Sequence, residues 1–324
     1  MRTLYLCGAG NSEGVRLARV INRHESRWDR IVLLDDDPAK LGLQRLGVEV
    51  IGPIDVLQDV DPSCSEAANL VARATTGRRA VRNRIHGSGV PFATLISPDV
   101  ELEGVTLGRD VIVYQHVTLG PESVLDEGAC IFMGAVVGHE AKVGPCCVVA
   151  PNAVLNARVV LGEGAYVGSN ASILPEISIG AWATVGAGSA VVQDVPAQAS
   201  AVGVPAEVFL RTPAPSVVGA PEAGDERTEG LIADVWCELL KVESVDREQN
   251  FFDLGGNSLL AIRARERIRH LSGLDFALTD VFRFPTVRSL ARHLSGLVDL
   301  AAGSSQDRGR LRRAALLRTV RSRH

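Results

Sequence analysis

The chain has 324 residues, 22% of them charged and 46% hydrophobic, with a formal net charge of -4. That length holds two or three domains, the composition is that of a globular protein, and the charge excludes a surface basic enough for general nucleic-acid binding. No apolar run approaches the roughly 18 residues of a membrane span, so neither a nucleic acid nor a membrane is an expected partner.

The amino terminus opens directly into a strand-like segment without a signal-peptide pattern. The 6 cysteines lack CxxC spacing and read as small buried hydrophobes in a reducing compartment rather than as disulfides or metal ligands. The cytoplasm is the expected location, and no metal is expected.

A strand over Leu4 to Cys7 meets a glycine-rich turn, Gly8-Ala9-Gly10-Asn11-Ser12-Glu13-Gly14. A helix carrying Val15, Leu17, Ala18, Val20 and Ile21 follows, then a strand over Ile31 to Leu34 that ends in Asp35-Asp36-Asp37. Amides at such a turn can hold phosphate, and carboxylates after the second strand can bind a ribose or sugar hydroxyl. Gly8, Gly10, Asn11, Ser12, Asp35 and Asp36 are therefore candidate substrate-binding residues, although a tight turn alone needs the same glycines. The first 92 residues read as a small Rossmann-like α/β domain.

From Leu107 every sixth residue to Val191 is aliphatic. At this composition the chance of such a run is on the order of one in a hundred thousand. Two residues earlier in each repeat stands a small or branched residue, such as Val111, Ala129 and Ala135. The residue after the aliphatic one is frequently glycine, as at Gly108, Gly120, Gly138, Gly144 and Gly162. Glycine there is expected to form the sharp corner between short strands. A period of six excludes helices and meanders, with their periods near 3.6 and 2, and predicts a stacked β-solenoid over 93–211.

Residues 212–226 are rich in Pro, Ala and Gly and read as a linker. From 227 to 298 the spacing turns helical, beginning with Ile232, Val235, Trp236, Leu239 and Leu240. Phe251-Phe252-Asp253-Leu254-Gly255-Gly256-Asn257-Ser258-Leu259-Leu260 then forms a loop that opens a helix. The last stretch, 299–324, holds seven arginines between Arg308 and Arg323. Leu311, Leu316, Leu317 and Val320 among them suit either a short partner helix or an unstructured basic tail.

Two resemblances sharpen this reading. The glycine turn, LLDDDP, Leu46-Gly47-Val48, a segment near Arg79 to Ile85, Leu95-Ile96-Ser97-Pro98, the repeat and Val202-Gly203-Val204-Pro205-Ala206 together resemble the PglD/NeuD family of sugar O- and N-acyltransferases. The resemblance implies a left-handed parallel β-helix, a homotrimer with sites between protomers, and acyl-CoA as donor. It places the general base at His139 in Val137-Gly138-His139-Glu140, with Glu140 as its support, and a pantetheine channel near Ser169 and Ala187. His116, the other histidine of the repeat, is read as structural or interfacial. Two positions depart from the family. Val148 stands where a second histidine is common, and Gly10-Asn11-Ser12 replaces the usual Ser-Gly-His or Gly-Gly-His.

Residues 227–298 resemble a peptidyl carrier domain of nonribosomal peptide synthesis, an α-helical bundle. The resemblance implies 4'-phosphopantetheine on Ser258, attached by a phosphopantetheinyl transferase and loaded by an adenylation or other enzyme. The helix start expected at Ser258 favours the added negative charge.

The combined expectation is an acyltransferase that moves an acyl group between a phosphopantetheine thioester and an amine or hydroxyl acceptor in a specialised-metabolite pathway. The thioester is either the chain's own carrier or CoA. The alternatives are a non-catalytic trimeric scaffold that presents carriers to synthase partners, with the basic tail as docking element, and a CoA-dependent nucleotide-sugar N-acetyltransferase.

Overall fold

The computed structural model describes residues 1–210, 223–256 and 258–295. Most of the linker read at 212–226, and all of the basic tail at 299–324, lie outside the described residues. The chain forms two compact units, Met1–Arg211 and Thr212–His324.

The first unit begins with strands β1 (Thr3–Cys7), β2 (Arg30–Leu34), β3 (Gln44–Arg45), β4 (Val48–Gly52) and β5 (Ser65–Asn69). They form one sheet in the order β3-β4-β2-β1-β5, parallel apart from the β3–β4 pair. Helices α1 (Ser12–Glu25) and α2 (Thr75–Ser88) pack against it. Val15, Leu17, Ala18 and Ile21 of α1 are buried with Leu4, Leu6 and Leu33. Each such aliphatic side chain contributes roughly 1.5–3 kcal/mol on leaving water. Ile85 of α2 is buried in a second cluster with Cys7, Leu34 and Leu57.

A parallel bridge between Ala67 and Phe92 carries the chain from this sheet into the solenoid. Fifteen two-residue strands follow, one per repeat, from Thr106–Leu107 to Ala190–Val191. They stack into three parallel sheets with partners eighteen residues apart, as Val124 pairs with Lys142 and Lys142 with Val160. The result is a triangular prism filled by the aliphatic and small residues of the repeat, among them Leu125, Val137, Ala141, Leu155, Ala171 and Val185. A hairpin of Ser200–Gly203 and Ala206–Phe209 ends one of the three sheets.

The corner glycines need a different explanation from the one the repeat suggested. Gly108, Gly120, Gly138 and Gly162 are absent from the left-handed positions. Those fall two residues later and are mostly not glycine: Glu122 (φ 62), Glu140 (φ 59), Arg158 (φ 60) and Glu176 (φ 65) follow one another along one edge. The glycines are required because the next coil lies against them. A Cβ at Gly120 would stand 2.4 Å from the His139 nitrogen and 2.7 Å from the Gly138 carbonyl carbon. Gly120→Ala is therefore expected to destabilise this unit by about 3 kcal/mol, since backbone has to move. Gly10→Ala, with nothing within 4 Å of its Cβ, should change the denaturation midpoint little. Equal midpoints for the two variants in urea would contradict this account.

The α/β part and the prism share a core. Ile112, Tyr114, Cys130 and Val148, on the outside of one prism sheet, are buried together with Leu4, Leu6 and the α1 residues. Helix α2 adds polar ties. Arg78 is fully buried and donates from Nε to the Gly128 carbonyl at 2.7 Å, and from Nη1 to the carbonyls of Asn69 at 2.7 Å and Val71 at 2.9 Å. Arg82 pairs with buried Asp110 through two bonds of 2.7 and 3.2 Å. Burial alone lowers the Arg82 pKa, but the Asp110 hydrogen bond and charge more than offset it and raise the value.

The second unit contains α3 (Ala223–Leu240), α4 (Ser258–Ser272), α5 (Leu278–Arg283) and a last helix over 287–295. Helix α3 starts inside the stretch read as linker. Ile232, Val235 and Trp236 of α3 are buried, as are Ala261, Ala264 and Ile268 of α4, and Val287, Leu290 and Leu294 of the last helix.

Candidate active site and carrier attachment site

His139 stands on the prism edge that carries Glu122, Glu140, Arg158 and Glu176. Its backbone is held by the adjoining coils: Glu140 N–H donates to the Pro121 carbonyl at 3.1 Å, and Arg158 N–H donates to the His139 carbonyl at 3.0 Å. The imidazole is exposed, and its Nδ1 lies 2.9 Å from Glu140 Oε1. An ionised carboxylate can only accept, so Nδ1 carries the proton and Nε2 keeps the lone pair. That is the tautomer a general base needs, on a backbone with little freedom to move.

His116 lies on another edge, in the column His116, Gly134, Asn152, Asn170 and Gly188. Both its backbone N–H, at 2.7 Å, and its Nδ1, at 3.0 Å, face Asp99 Oδ2. Burial pushes the Asp99 carboxyl up, but hydrogen bonds from Ser97 and His116 outweigh it and hold the pKa below the usual range. Ser169 and Ala187 belong to this column: Gly188 N–H donates to the Ser169 carbonyl at 2.8 Å, and a Cβ on Gly168 would meet the Ala187 nitrogen at 2.5 Å. Within one chain His139 and the Ser169–Ala187 pair thus occupy different edges. Val148 is on neither. It is buried under the α/β domain, so an imidazole there would not share an edge with His139.

The glycine turn is tightly held. Gly8 has φ 112, which suits glycine, and the Ala9 N–H donates to Asp35 Oδ2 at 2.8 Å. The Lys40 ammonium reaches both Asp35 oxygens, at 3.0 and 3.1 Å. Burial raises the Asp35 pKa, and its bonds from Asp37, Lys40 and Ala9 more than reverse this. Asp36 accepts from the Arg84 guanidinium and from the Ile54 N–H, and the Arg84 bond is the main cause of its lowered pKa. Asn11 caps α1 by accepting from Gly14 N–H at 3.1 Å, while its Nδ2 donates to the buried Tyr114 hydroxyl at 2.8 Å and to the Leu70 carbonyl at 3.3 Å. Gly10 and Ser12 are exposed at the turn. The carboxylates and Asn11 thus hold the turn to its own domain and to the prism. The Tyr114 link was missed in the sequence, where only the helix-cap preference of Asn pointed at a structural role.

In the second unit Phe251 lies fully buried against Trp236, ring centroids 4.8 Å apart, and Phe252 stacks on Phe282 at 5.0 Å. These anchors pull the FFDLGG loop onto the bundle. A Cβ at Gly256 would come within 2.4 Å of the Phe251 ring and carbonyl, and Gly255 has φ 97. Ser258 is the first residue of α4, a place where partial positive charge favours a phosphodiester. The local fold therefore fits a phosphopantetheine group. Among the described residues no cluster of His, Cys, Asp or Glu fits a metal ion, and no helix is long and apolar enough to cross a membrane.

Known proteins resemble the two units separately. Residues 230–294 match the family model described as phosphopantetheine attachment site. Malpinin synthetase of Mortierella alpina is 44% identical over 79 residues, which is 24% of this chain. This chain spans 1% of the length of that synthetase. The acetyltransferase domain of PglB from Neisseria gonorrhoeae, solved with acetyl coenzyme A, aligns over 64% of this chain and 98% of its own, with 26% identity and a TM-score of 0.58. PerB from Caulobacter crescentus, solved with CoA and GDP-perosamine, aligns over 64% of this chain and 97% of its own, with 28% identity and a TM-score of 0.56. The first unit is thus similar in fold to solved acetyltransferases, and residues 230–294 of the second unit match a phosphopantetheine attachment module.

Proposed function

We propose that this fusion is an acyltransferase of a specialised-metabolite pathway. It moves an acyl group from a phosphopantetheine thioester, with Ser258 as the attachment point, to an amine or hydroxyl acceptor. The observation that carries the reading is the His139 Nδ1 to Glu140 Oε1 contact of 2.9 Å on a prism built like that of known acetyltransferases, in a chain with its own carrier module. The phosphopantetheine group supplies the thioester. Nε2 of His139 would take the acceptor proton as the acceptor attacks the thioester carbon, and would return it to the sulfur as the carbon–sulfur bond breaks, leaving a thiol and a neutral imidazole. Glu140 holds the imidazole in the required tautomer and stabilises its positive charge.

The different edges of His139 and the Ser169–Ala187 pair support a homotrimer, in which one copy's base faces the neighbour's pantetheine channel. Covalent fusion supports the chain's own carrier as donor, because a tethered arm is present at high effective concentration. The solved complexes with acetyl coenzyme A and with CoA plus GDP-perosamine favour a second reading, a CoA-dependent N-acetyltransferase. A phosphopantetheinyl transferase and a carrier-loading enzyme are the partners either form of Ser258 chemistry requires. The synthetase relatives support a synthase context, and the cytoplasm supplies the reducing conditions for the thiol.

One experiment separates the donors. The full chain is converted to acetyl-holo-protein with a phosphopantetheinyl transferase and acetyl-CoA, excess acetyl-CoA is removed, and a panel of amines and amino sugars is offered. Intact mass should show loss of the acetyl group from wild type together with acetylated amine. Ser258→Ala, which cannot be loaded, should give no product under these conditions and little from free acetyl-CoA. Equal product from Ser258→Ala and free acetyl-CoA identifies CoA as donor and overturns the carrier reading.

A further inference from the structure

Left-handed corner residues on the His139 edge stack one coil apart, about 4.8 Å. In order they are Glu122, Glu140, Arg158 and Glu176, so one cation lies within a column of carboxylates. Arg158 is gripped from above: its Nε and Nη2 donate to Glu176 Oε1 at 3.0 and 2.8 Å. This grip leaves Nη1 directed down the column, 3.6 Å from Glu140 Oε1. The same oxygen receives His139 Nδ1. We propose that Arg158 is a positioning residue, oriented by Glu176, that keeps Glu140 turned toward His139 and sets the basicity of the imidazole. The inference rests on His139 acting as the base.

The charged residues that share the His139 edge on neighbouring coils are Glu122 below, Arg158 above and Glu176 beyond it. Lys142 lies exposed on the adjoining face, two residues past Glu140. Glu140 favours the imidazolium, and Arg158 opposes that effect through the oxygen the two share. Removing the guanidinium frees Glu140 Oε1 of its second partner and leaves the carboxylate to His139 alone. Removing the Glu176 charge leaves Arg158 unopposed and draws it onto Glu140, in competition with His139. A residue that only stabilises the coil would not produce shifts of opposite sign.

The test is the pH dependence of carbethoxylation by diethyl pyrocarbonate, which modifies only unprotonated imidazole, read at His139 by peptide mass on the full chain. In Arg158→Gln the midpoint should rise by roughly 0.2–0.5 pH unit, and in Glu176→Gln it should fall by a similar amount. Arg158→Lys should restore the wild-type value, and His116, on another edge, should not move. Raising the salt concentration should shrink both shifts, because the groups are exposed. Unchanged midpoints, or shifts of the same sign in both variants, overturn the proposal. If Arg158→Gln fails to fold, Glu176→Gln carries the test alone. Carbethoxylation does not depend on acyl transfer. A normal transfer rate in His139→Ala would therefore remove the catalytic reading while leaving this result interpretable.

Discussion

Replacing His139 with alanine is expected to slow deacylation of the acetyl-carrier by an amine roughly 10²–10⁴-fold, the range for loss of a positioned general base. The side chain is exposed and, among the described residues, hydrogen-bonds to Glu140, so the unfolding midpoint should be unchanged. That separates chemistry from folding. Glu140→Gln keeps an acceptor for Nδ1–H but removes the charge that stabilises the imidazolium, and a loss of about 10-fold is expected. The measurement is the rate at which intact mass reports loss of the acetyl group, with unloading in the absence of amine subtracted. Wild-type rates in both variants would leave the prism without a base and favour its role as a scaffold for carriers.

The second large effect is structural. Arg78→Leu is expected to destabilise the first unit by about 3 kcal/mol, since two buried carbonyls and a partly buried one lose their donor at once. The three lie on Gly128, Asn69 and Val71. For a unit of this size the thermal midpoint should fall by roughly 10 °C. Arg78→Lys keeps the charge but presents one nitrogen to partners that the guanidinium reached with two, so it should recover only part of the loss. Arg109→Leu, at a largely exposed side chain, should move the midpoint by no more than about 1 °C. Thermal unfolding followed by circular dichroism distinguishes these outcomes, and an Arg78→Leu midpoint equal to wild type would show that the buried contacts contribute nothing.

The prism was legible because its signal is local and repeated: one aliphatic residue in six, and a small residue two places earlier, fill an interior that admits little else. The carrier module was legible from FFDLGGNSL, in which Phe251, Gly256 and the start of α4 are neighbours in the chain as well as in space. The reason for the corner glycines was misread, because the constraint on Gly120 comes from the His139 backbone one coil away and has no local signature. The left-handed sites themselves carry Glu, Arg, Cys and Trp as well as Gly and Asn, so glycine alone does not mark them. Arg78 in an arginine-rich chain looks like surface until Gly128, 50 residues distant, supplies its partner. Asn11 stands in a glycine turn, where a substrate contact is expected, and its bond to Tyr114, which spans 103 residues, has no local sign in the sequence.

A stack of parallel strands is in principle open at both ends, where unpaired amides and carbonyls offer a template for another chain. At the start, the Ala67–Phe92 bridge merges the solenoid with the α/β sheet. At the far end the Ser200–Gly203 strand folds back on Ala206–Phe209 in antiparallel fashion, a direction no further parallel coil can extend. Continuation of the parallel stack, the characteristic hazard of free parallel edges, is interrupted at that far end by a short reversed strand.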